Sequence, residues 1–171
     1  MPRVRMIEQR EDTAPEQVEA FEHIAASRGG QMIRPFAAML HRPEIARAAA
    51  DLGAVIRYGS TLSDHDREVV ICATAVERAC PFEWESHSPI ARSVGVSDAT
   101  LTSIAADDEV DDPDDALLVD FVRQLSREGR VSDLTYRSAR SRLGEAGTVE
   151  LAAIIGYYTM LALFMNAVEA C

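Results

Sequence analysis

Residues 80–87, CPFEWESH, gather a cysteine, two glutamates and a histidine within eight positions. Pro81 predicts that a helix begins here, which places Cys80 at or next to its N-cap. The unpaired N–H groups and the partial positive charge of a helix N-terminus favour a thiolate. Glu83 and His87 are four residues apart, so they share a face, where a carboxylate orients the imidazole and favours its charged form. The segment therefore predicts thiol chemistry or acid–base chemistry.

Glu68, on the helix before this segment, is a further candidate. It shares the apolar side of that helix with Cys72 and two alanines, so we expect an inward-facing carboxylate near the neighbouring helix. A buried glutamate can carry protons near neutral pH. Taken one at a time, these residue types more often have structural roles, the cysteine as a small apolar side chain and the glutamate as a cap. Only their combined spacing favours a site.

The elements that would position these side chains are all predicted to be helices. Start signals lie at the Thr13–Glu16 capping box, Pro43, Ser63, Pro81 and Ser97. Further helices are expected at about 115–128, 133–143 and 148–169, with a short apolar piece near 33–40. No stretch alternates with period two, and no hairpin signal occurs. The sequence predicts an all-α, single-domain bundle of about seven or eight helices over residues 1–171.

Two further helices also carry apolar stripes. The helix from Pro43 has Ile45, Ala48, Leu52, Val55 and Ile56 at helical spacing. The last helix has a 3-4-3-4-3 seam, formed by Leu151, Ile154, Tyr158, Leu161, Met165 and Val168. The last helix is apolar beyond that single stripe, which indicates contacts between subunits. Its uncharged run, residues 151–168, is rich in alanine and carries two tyrosines, so a buried helix is predicted rather than a membrane span.

Composition limits the possible partners and compartments. The 28 acidic and 17 basic residues give a net charge of −11, which repels phosphate backbones and anionic lipid, so neither nucleic acid nor a membrane is an expected partner. Cys72, Cys80 and Cys171 do not form a disulfide framework, and the first residues lack a signal-peptide pattern. A cytoplasmic protein is predicted. The acidic run DDEVDDPDD, residues 107–115, is expected to be a solvated loop without the pattern of a calcium loop.

The spacing of the four candidate residues resembles that of a known superfamily. Glu68, eleven residues, Cys80, two residues, Glu83, three residues and His87 follow the register of the carboxymuconolactone decarboxylase and alkylhydroperoxidase D superfamily. The peroxidase branch carries E-x11-C-x2-C-x3-H. The runs LHRPEIARAAADLGAVI and HSPIARSVGVSDATL are also similar, so the resemblance covers roughly residues 35–105. It implies an all-helical fold assembled as trimers or hexamers, with a dimer also possible.

The resemblance implies chemistry that differs between branches. Glu83 stands where the peroxidase branch has its second cysteine, so no local thiol is available to resolve an oxidised Cys80. Cys72 is buried by its pattern, and Cys171 lies at the chain end. The C-x2-E-W-x2-H form resembles the decarboxylase-like branch, in which a lactone acid loses carbon dioxide without a metal or an organic cofactor. On that reading Glu68, Cys80, Glu83 and His87 are the catalytic residues.

Within the decarboxylase reading, each group has an expected role. His87, held by Glu83, is the acid, Glu68 shuttles the proton, and the helix start at 80–83 polarises an oxygen. Tyr157 or Tyr158 could supply another donor. Three functions stay open: a cofactor-independent decarboxylase or isomerase of a small lactone or oxo acid, a peroxidase that uses Cys80 with an external thiol, and a non-enzymatic helical oligomer that binds an apolar ligand. Zinc is not expected, because its ligands would distort the helix.

Overall fold

The computed structural model describes residues 1–170, which form helices and no strands. Two short 3-10 helices, Arg10–Asp12 and Pro15–Gln17, precede eight α-helices. The α-helices are α1 (Val18–Ala26), α2 (Arg34–Met39), α3 (Pro43–Tyr58), α4 (Asp64–Glu77), α5 (Pro81–Ser93), α6 (Asp98–Ala106), α7 (Pro113–Glu128) and α8 (Asp133–Ala167). The predicted all-α class and helix number are confirmed. Cys171 lies outside the described residues.

The chain divides into two compact units. Unit 1 contains residues 1–59 and the end of the chain from Phe164, and unit 2 contains residues 60–163. The predicted extent of the domain, residues 1–171, stays a prediction. All the candidate site residues that the structure describes belong to unit 2.

In unit 1, α3 packs on α1 and α2 through small side chains. Its buried face consists of Ala46, Ala49, Ala50, Gly53 and Ile56. Three members of the predicted apolar stripe, Ile45, Leu52 and Val55, are instead exposed. Helical periodicity shows that apolar residues share a face but not which face is buried, and the alanine face allows the closer approach of helices.

Unit 2 is built around α4. Ser63 caps this helix by accepting a hydrogen bond from the Asp66 N–H, as its position predicts. Residues 66–75 are buried without interruption, because α5, α6 and α7 all pack on α4. Because this part of α4 is enclosed, its polar side chains, including Glu68, are buried.

The start of α7 corrects the expectation of a solvated acidic loop. Asp112 caps α7 through hydrogen bonds from the N–H groups of Asp114 and Asp115. Asp115, inside the acidic run, is buried and accepts hydrogen bonds from the Thr100 hydroxyl at 2.9 Å and from His65 Nε2 at 2.8 Å. The expectation of solvation is therefore wrong for Asp115, because partners remote in sequence satisfy its carboxylate.

The final helical run, α8, is interrupted at Gly144, where φ is 73° and the backbone is not helical. This position separates the two helices predicted at 133–143 and 148–169. The seam residues from Leu151 to Met165 are buried as expected. By length and composition α8 is the one helix among residues 1–170 that could cross a membrane, and half of its apolar window is buried inside the protein.

Candidate active site

A tight turn between α4 and α5 sets the position of Cys80. The Cys80 N–H donates to Ala75 O at 3.0 Å and the Ala79 N–H donates to Val76 O, which closes the end of α4. Ala79 adopts a left-handed conformation with φ of 47°, an uncommon conformation for a residue with a Cβ. The turn places Cys80 at the N-cap of α5, as the sequence predicts, and Cys80 is buried.

The first turn of α5 positions Glu83 and His87. Pro81 occupies the first helical position, and the Trp84 N–H closes the first turn on Cys80 O at 3.2 Å. Glu83 and His87 lie on the same face, and each is only 3% exposed. Glu83 Oε2 lies 3.6 Å from His87 Nε2, so the two form the predicted i, i+4 pair.

His87 is held more closely by Glu68 than by Glu83. Its Nδ1 lies 2.7 Å from Glu68 Oε2, and both side chains are buried. When Glu68 is ionised it can only accept hydrogen bonds, so His87 Nδ1–H donates to it, and Nε2 is the nitrogen that faces Glu83. The sequence assigned the holding role to Glu83. The correction arises because α4 packs directly on α5, a contact that the spacing along α5 cannot reveal.

Two further groups adjoin this pair. Arg67 Nε lies 3.6 Å from Glu68 Oε1, and the guanidinium is almost fully buried. The Tyr158 ring meets the His87 ring edge to face at a centroid distance of 5.2 Å, and Tyr157 packs on Tyr158 in the same manner. Sequence reasoning missed Arg67, and its only signal was its place directly before Glu68. Tyr158, rather than Tyr157, is in contact with the imidazole.

The remaining cysteines differ in their suitability for thiol chemistry. Burial first, and the nearby charge of Glu68 second, together raise the pKa of the Cys72 thiol to about 12. Cys72 therefore carries little thiolate near neutral pH, which makes it a poor resolving thiol for Cys80. Cys171, the other candidate resolving thiol, lies outside the described residues.

The arrangement is a buried series of three groups, each able to bind and release a proton. Glu68, His87 and Glu83 lie in series, with one carboxylate on each side of the imidazole. Such a chain can move a proton from one carboxyl group to the other through the ring. Cys80 begins the helix that carries two of the three groups. Among residues 1–170, no three His, Cys, Asp or Glu side chains are grouped so as to hold a metal ion.

Comparison with known families confirms the resemblance of the sequence motif. Residues 43–120 match the model of the Carboxymuconolactone decarboxylase family. This range includes Glu68, Cys80, Glu83 and His87. No protein of curated function matches the chain.

Solved structures with the same fold cover both units. An uncharacterized peroxidase-related protein from Silicibacter sp. TM1040 has a TM-score of 0.76 and 15% identity, over 98% of this chain and 90% of that one. The debrominase Bmp8 without ligand has a TM-score of 0.73 and 16% identity, over 97% and 91%. A cysteine-to-alanine variant of Bmp8 in complex with 2,3,4-tribromopyrrole has a TM-score of 0.75 and 15% identity, over 99% and 92%. At these identities the likeness shows the fold alone.

Proposed function

We propose that this chain, whose residues 43–120 match the Carboxymuconolactone decarboxylase family, is a cofactor-independent enzyme that decarboxylates or isomerises a small lactone or oxo acid. The observation that carries the proposal is the buried series of Glu68, His87 and Glu83. A series of this kind serves reactions in which carbon must gain or lose a proton, and it needs no electron carrier. One neighbour in fold binds a small planar ring, and we propose a substrate of that size class here.

In the decarboxylation, the bond between the carboxylate carbon and its neighbour breaks, and carbon dioxide leaves. The electron pair of that bond delocalises onto the conjugated carbonyl oxygen, which the positive end of α5 stabilises. His87 then donates its Nε2 proton toward the carbanion carbon, directly or through Glu83. The hydrogen bond from His87 Nδ1–H to Glu68 persists, and it keeps the ring oriented during the transfer. Isomerisation uses the same groups to remove a proton from one carbon and return it to another.

The test is deuterium incorporation from D2O. The purified protein is incubated with a panel of unsaturated lactone carboxylates and 3-oxo acids, and products are followed by NMR and by carbon dioxide release. Catalysed decarboxylation or isomerisation places deuterium at the carbon that is reprotonated. His87→Gln and Glu68→Gln are expected to lose at least about a hundredfold in rate, within the usual contribution of acid–base groups. If neither variant differs from the wild-type protein, the proposal is wrong.

His23→Gln is the matched control, because His23 also pairs with a carboxylate but lies in unit 1 at the surface. It is expected to keep the wild-type rate. Cys80→Ser separates acid–base from thiol chemistry. Under the present proposal it keeps part of the activity, since sulfur takes no part in the proton transfers.

A second candidate function is a thiol-dependent peroxidase, which the position of Cys80 at the N-cap of α5 favours. The Cys80 thiolate would attack a hydroperoxide, releasing the alcohol after protonation and leaving a sulfenic acid. One external thiol would condense with the sulfenic acid to a mixed disulfide and water. A second would release Cys80 and leave with the first as a disulfide. Cys72 takes no part, because its raised pKa keeps it protonated.

Hydroperoxide consumption with dithiothreitol tests this second function. Under it, Cys80→Ser abolishes consumption while Cys72→Ser does not. Glu83→Cys creates the two-cysteine spacing of the peroxidase branch, and serves as the positive control for a fold that can do this chemistry. If Glu83→Cys consumes hydroperoxide and the wild-type protein does not, the peroxidase function is excluded for this chain.

A homo-oligomer remains part of the proposal. The exposed apolar side chains of α3, Ile45, Leu52, Val55 and Tyr58, favour contact with a further subunit. Size-exclusion chromatography with light scattering measures the mass directly. A monomer at micromolar concentration would contradict this part of the proposal and leave the chemistry unaffected.

A further inference from the structure

Arg67 is a buried cation that belongs to none of the motif positions. It lies on α4 directly before Glu68, and its side chain is only 10% exposed. Its Nη1 donates to Asp64 Oδ1 at 2.8 Å, one turn earlier on the same helix. Its Nε lies 3.6 Å from Glu68 Oε1, beyond hydrogen-bond distance but within ion-pair distance. Asp64 therefore anchors the guanidinium, while Glu68 is affected by its charge.

We infer that Arg67 is a positioning residue whose charge balances Glu68, so that His87 is free to release its Nε2 proton. The inference rests on the proposed acid–base function, since it assigns a role within that relay. Glu68 presents one oxygen to Arg67 and the other to His87, which places its carboxylate between a permanent cation and a titratable ring.

The physical reason is the cost of an uncompensated charge in the interior. Glu68 is 1% exposed, so water does little to stabilise its ionised form. Without Arg67, the imidazolium of His87 would be the nearest balancing charge, and loss of the Nε2 proton would leave the carboxylate uncompensated. The proton would then be held on the ring. With Arg67 in place, the neutral ring and the ionised carboxylate can coexist, and the proton can move on toward Glu83.

The other groups around His87 do not supply this charge. Glu83, from the same helix, is an acid, and Tyr158, from α8, contributes a ring edge. Cys72 adjoins Glu68 as a thiol with a raised pKa, and is neutral near pH 7. The charge of Arg92, from α5, also reaches Cys72, but its Nε pairs with Asp98 Oδ1 at 2.8 Å. Among the neighbours named here, Arg67 is the cation that forms an ion pair with Glu68.

Arg142 provides a matched control in the same unit. Its guanidinium contacts Asp66 Oδ1 at 2.8 Å and Asp114 Oδ1 at 3.1 Å, so it also joins α4 through an ion pair. It makes no ion pair with Glu68 or Glu83 among the described residues. Arg142→Met therefore removes a partly exposed, ion-paired arginine of the same unit and leaves Glu68, His87 and Glu83 intact.

The experiment follows the ring nitrogens of His87 by NMR in protein labelled with 15N-histidine. His87→Gln identifies the signals, and Nε2 deprotonation is recorded against pH. Arg67→Met is expected to move the midpoint of this deprotonation to higher pH by about one unit or more, as for removal of an opposite charge next to a carboxylate. Arg67→Lys keeps the charge and is expected to restore most of the wild-type midpoint. Arg142→Met is expected to leave it unchanged.

An unchanged midpoint in Arg67→Met, or an equal shift in Arg142→Met, overturns the inference. If Arg67→Met does not fold, Arg67→Gln replaces it, and the same two outcomes decide. Once a substrate is found, Arg67→Met is expected to lower kcat by about tenfold or more with little change in KM, because a His87 that holds its proton more tightly is a weaker general acid. The midpoints are measured without a substrate. A shifted midpoint in Arg67→Met, together with no catalysis by the wild-type protein, would therefore contradict the proposed function but not the effect of Arg67 on His87.

Discussion

Each of the two units contains a histidine paired with a carboxylate, and the two pairs differ in burial rather than in geometry. In unit 1, His23 Nε2 lies 2.5 Å from Asp51 Oδ1, and the side chains are 37% and 55% exposed. In unit 2, His87 Nδ1 lies 2.7 Å from Glu68 Oε2, and the side chains are 4% and 1% exposed. Water and salt screen the first pair but not the second. A short distance alone therefore does not identify a site.

The buried pair needs additional groups that the surface pair does not. In the interior a charge must be balanced by neighbouring charges or hydrogen bonds, because solvent cannot do so. Arg67 and Glu83 accompany the buried pair, one at each end. The difference teaches that a candidate site is distinguished by the groups that surround the histidine, not by one short distance. The surface pair can therefore serve as a control for experiments on the buried pair.

The largest expected difference between the two pairs is in stability. Glu68→Leu removes one member of the buried pair and is expected to lower the free energy of unfolding by about 3–5 kcal/mol. Asp51→Leu removes the corresponding member of the surface pair and is expected to cost less than about 1 kcal/mol. Urea unfolding of both variants measures the two values. Equal losses would mean that burial does not distinguish the pairs, and the comparison would fail.

The pair formed by His65 and Asp115 lies between these extremes, with side chains 33% and 4% exposed. Asp115→Ala removes the acceptor of Thr100 as well as of His65, so a loss of about 2 kcal/mol is expected, as for hydrogen bonds to a charged group. Asp111→Ala, at an exposed position of the same acidic run, is the control and is expected to have little effect. Thermal unfolding measures the loss of stability in the two variants. Similar melting temperatures would contradict the expected cost of removing the Asp115 carboxylate.

The backbone before Cys80 gives a comparison in which the substitution in unit 2 is the stabilising one, because Ala79 has a strained backbone conformation. Ala79→Gly removes the Cβ that is strained in the left-handed conformation. Because the position is exposed, the substitution is expected to stabilise the fold by about 1 kcal/mol. Ala48→Gly, at an exposed position inside α3 of unit 1, is expected to destabilise by a similar amount, about 1 kcal/mol. Chemical denaturation of both variants gives the signs. A loss of stability in Ala79→Gly would show that this turn is not strained.

The smallest expected effect concerns Glu150, a carboxylate of unit 2 near the surface. Burial by itself raises its pKa, but hydrogen bonds from Ser60 and Thr61 and the charge of Arg67 outweigh burial, so the pKa of Glu150 is lowered. A carboxyl group with a lowered pKa in the folded state stabilises the fold above its unfolded pKa, and this contribution is lost as pH falls through its folded pKa.

Glu150→Gln is therefore expected to cost a few tenths of a kcal/mol near neutral pH, within the range of partly exposed interactions. The difference from the wild-type protein should vanish in acid. Thermal unfolding between neutral pH and acid measures this dependence. A difference that stays constant over that range would show that the ionised carboxylate is not what matters.

Much of the fold follows from local signals in the sequence. Ser63 and Ser97 cap helices, Pro43 and Pro81 begin them, and Gly144 interrupts one, because these preferences depend on a few neighbouring residues. The i, i+4 spacing of Glu83 and His87 likewise fixes their shared face once α5 forms. The motif register of the four candidate residues was also legible in the sequence, though their catalytic roles stay a prediction.

The tertiary structure decided what depends on contacts between segments remote along the chain. It placed Glu68, nineteen residues away, closer to His87 than Glu83 lies, and brought Arg67 with it. It also buried Asp115, and it left Ile45, Leu52 and Val55 of the apolar stripe of α3 exposed while Ile56 is buried. Periodicity gives the angle between side chains on one helix, but the side that is buried depends on the helices that pack against it. Burial in turn decides whether a charge is screened by water or must be balanced by its neighbours.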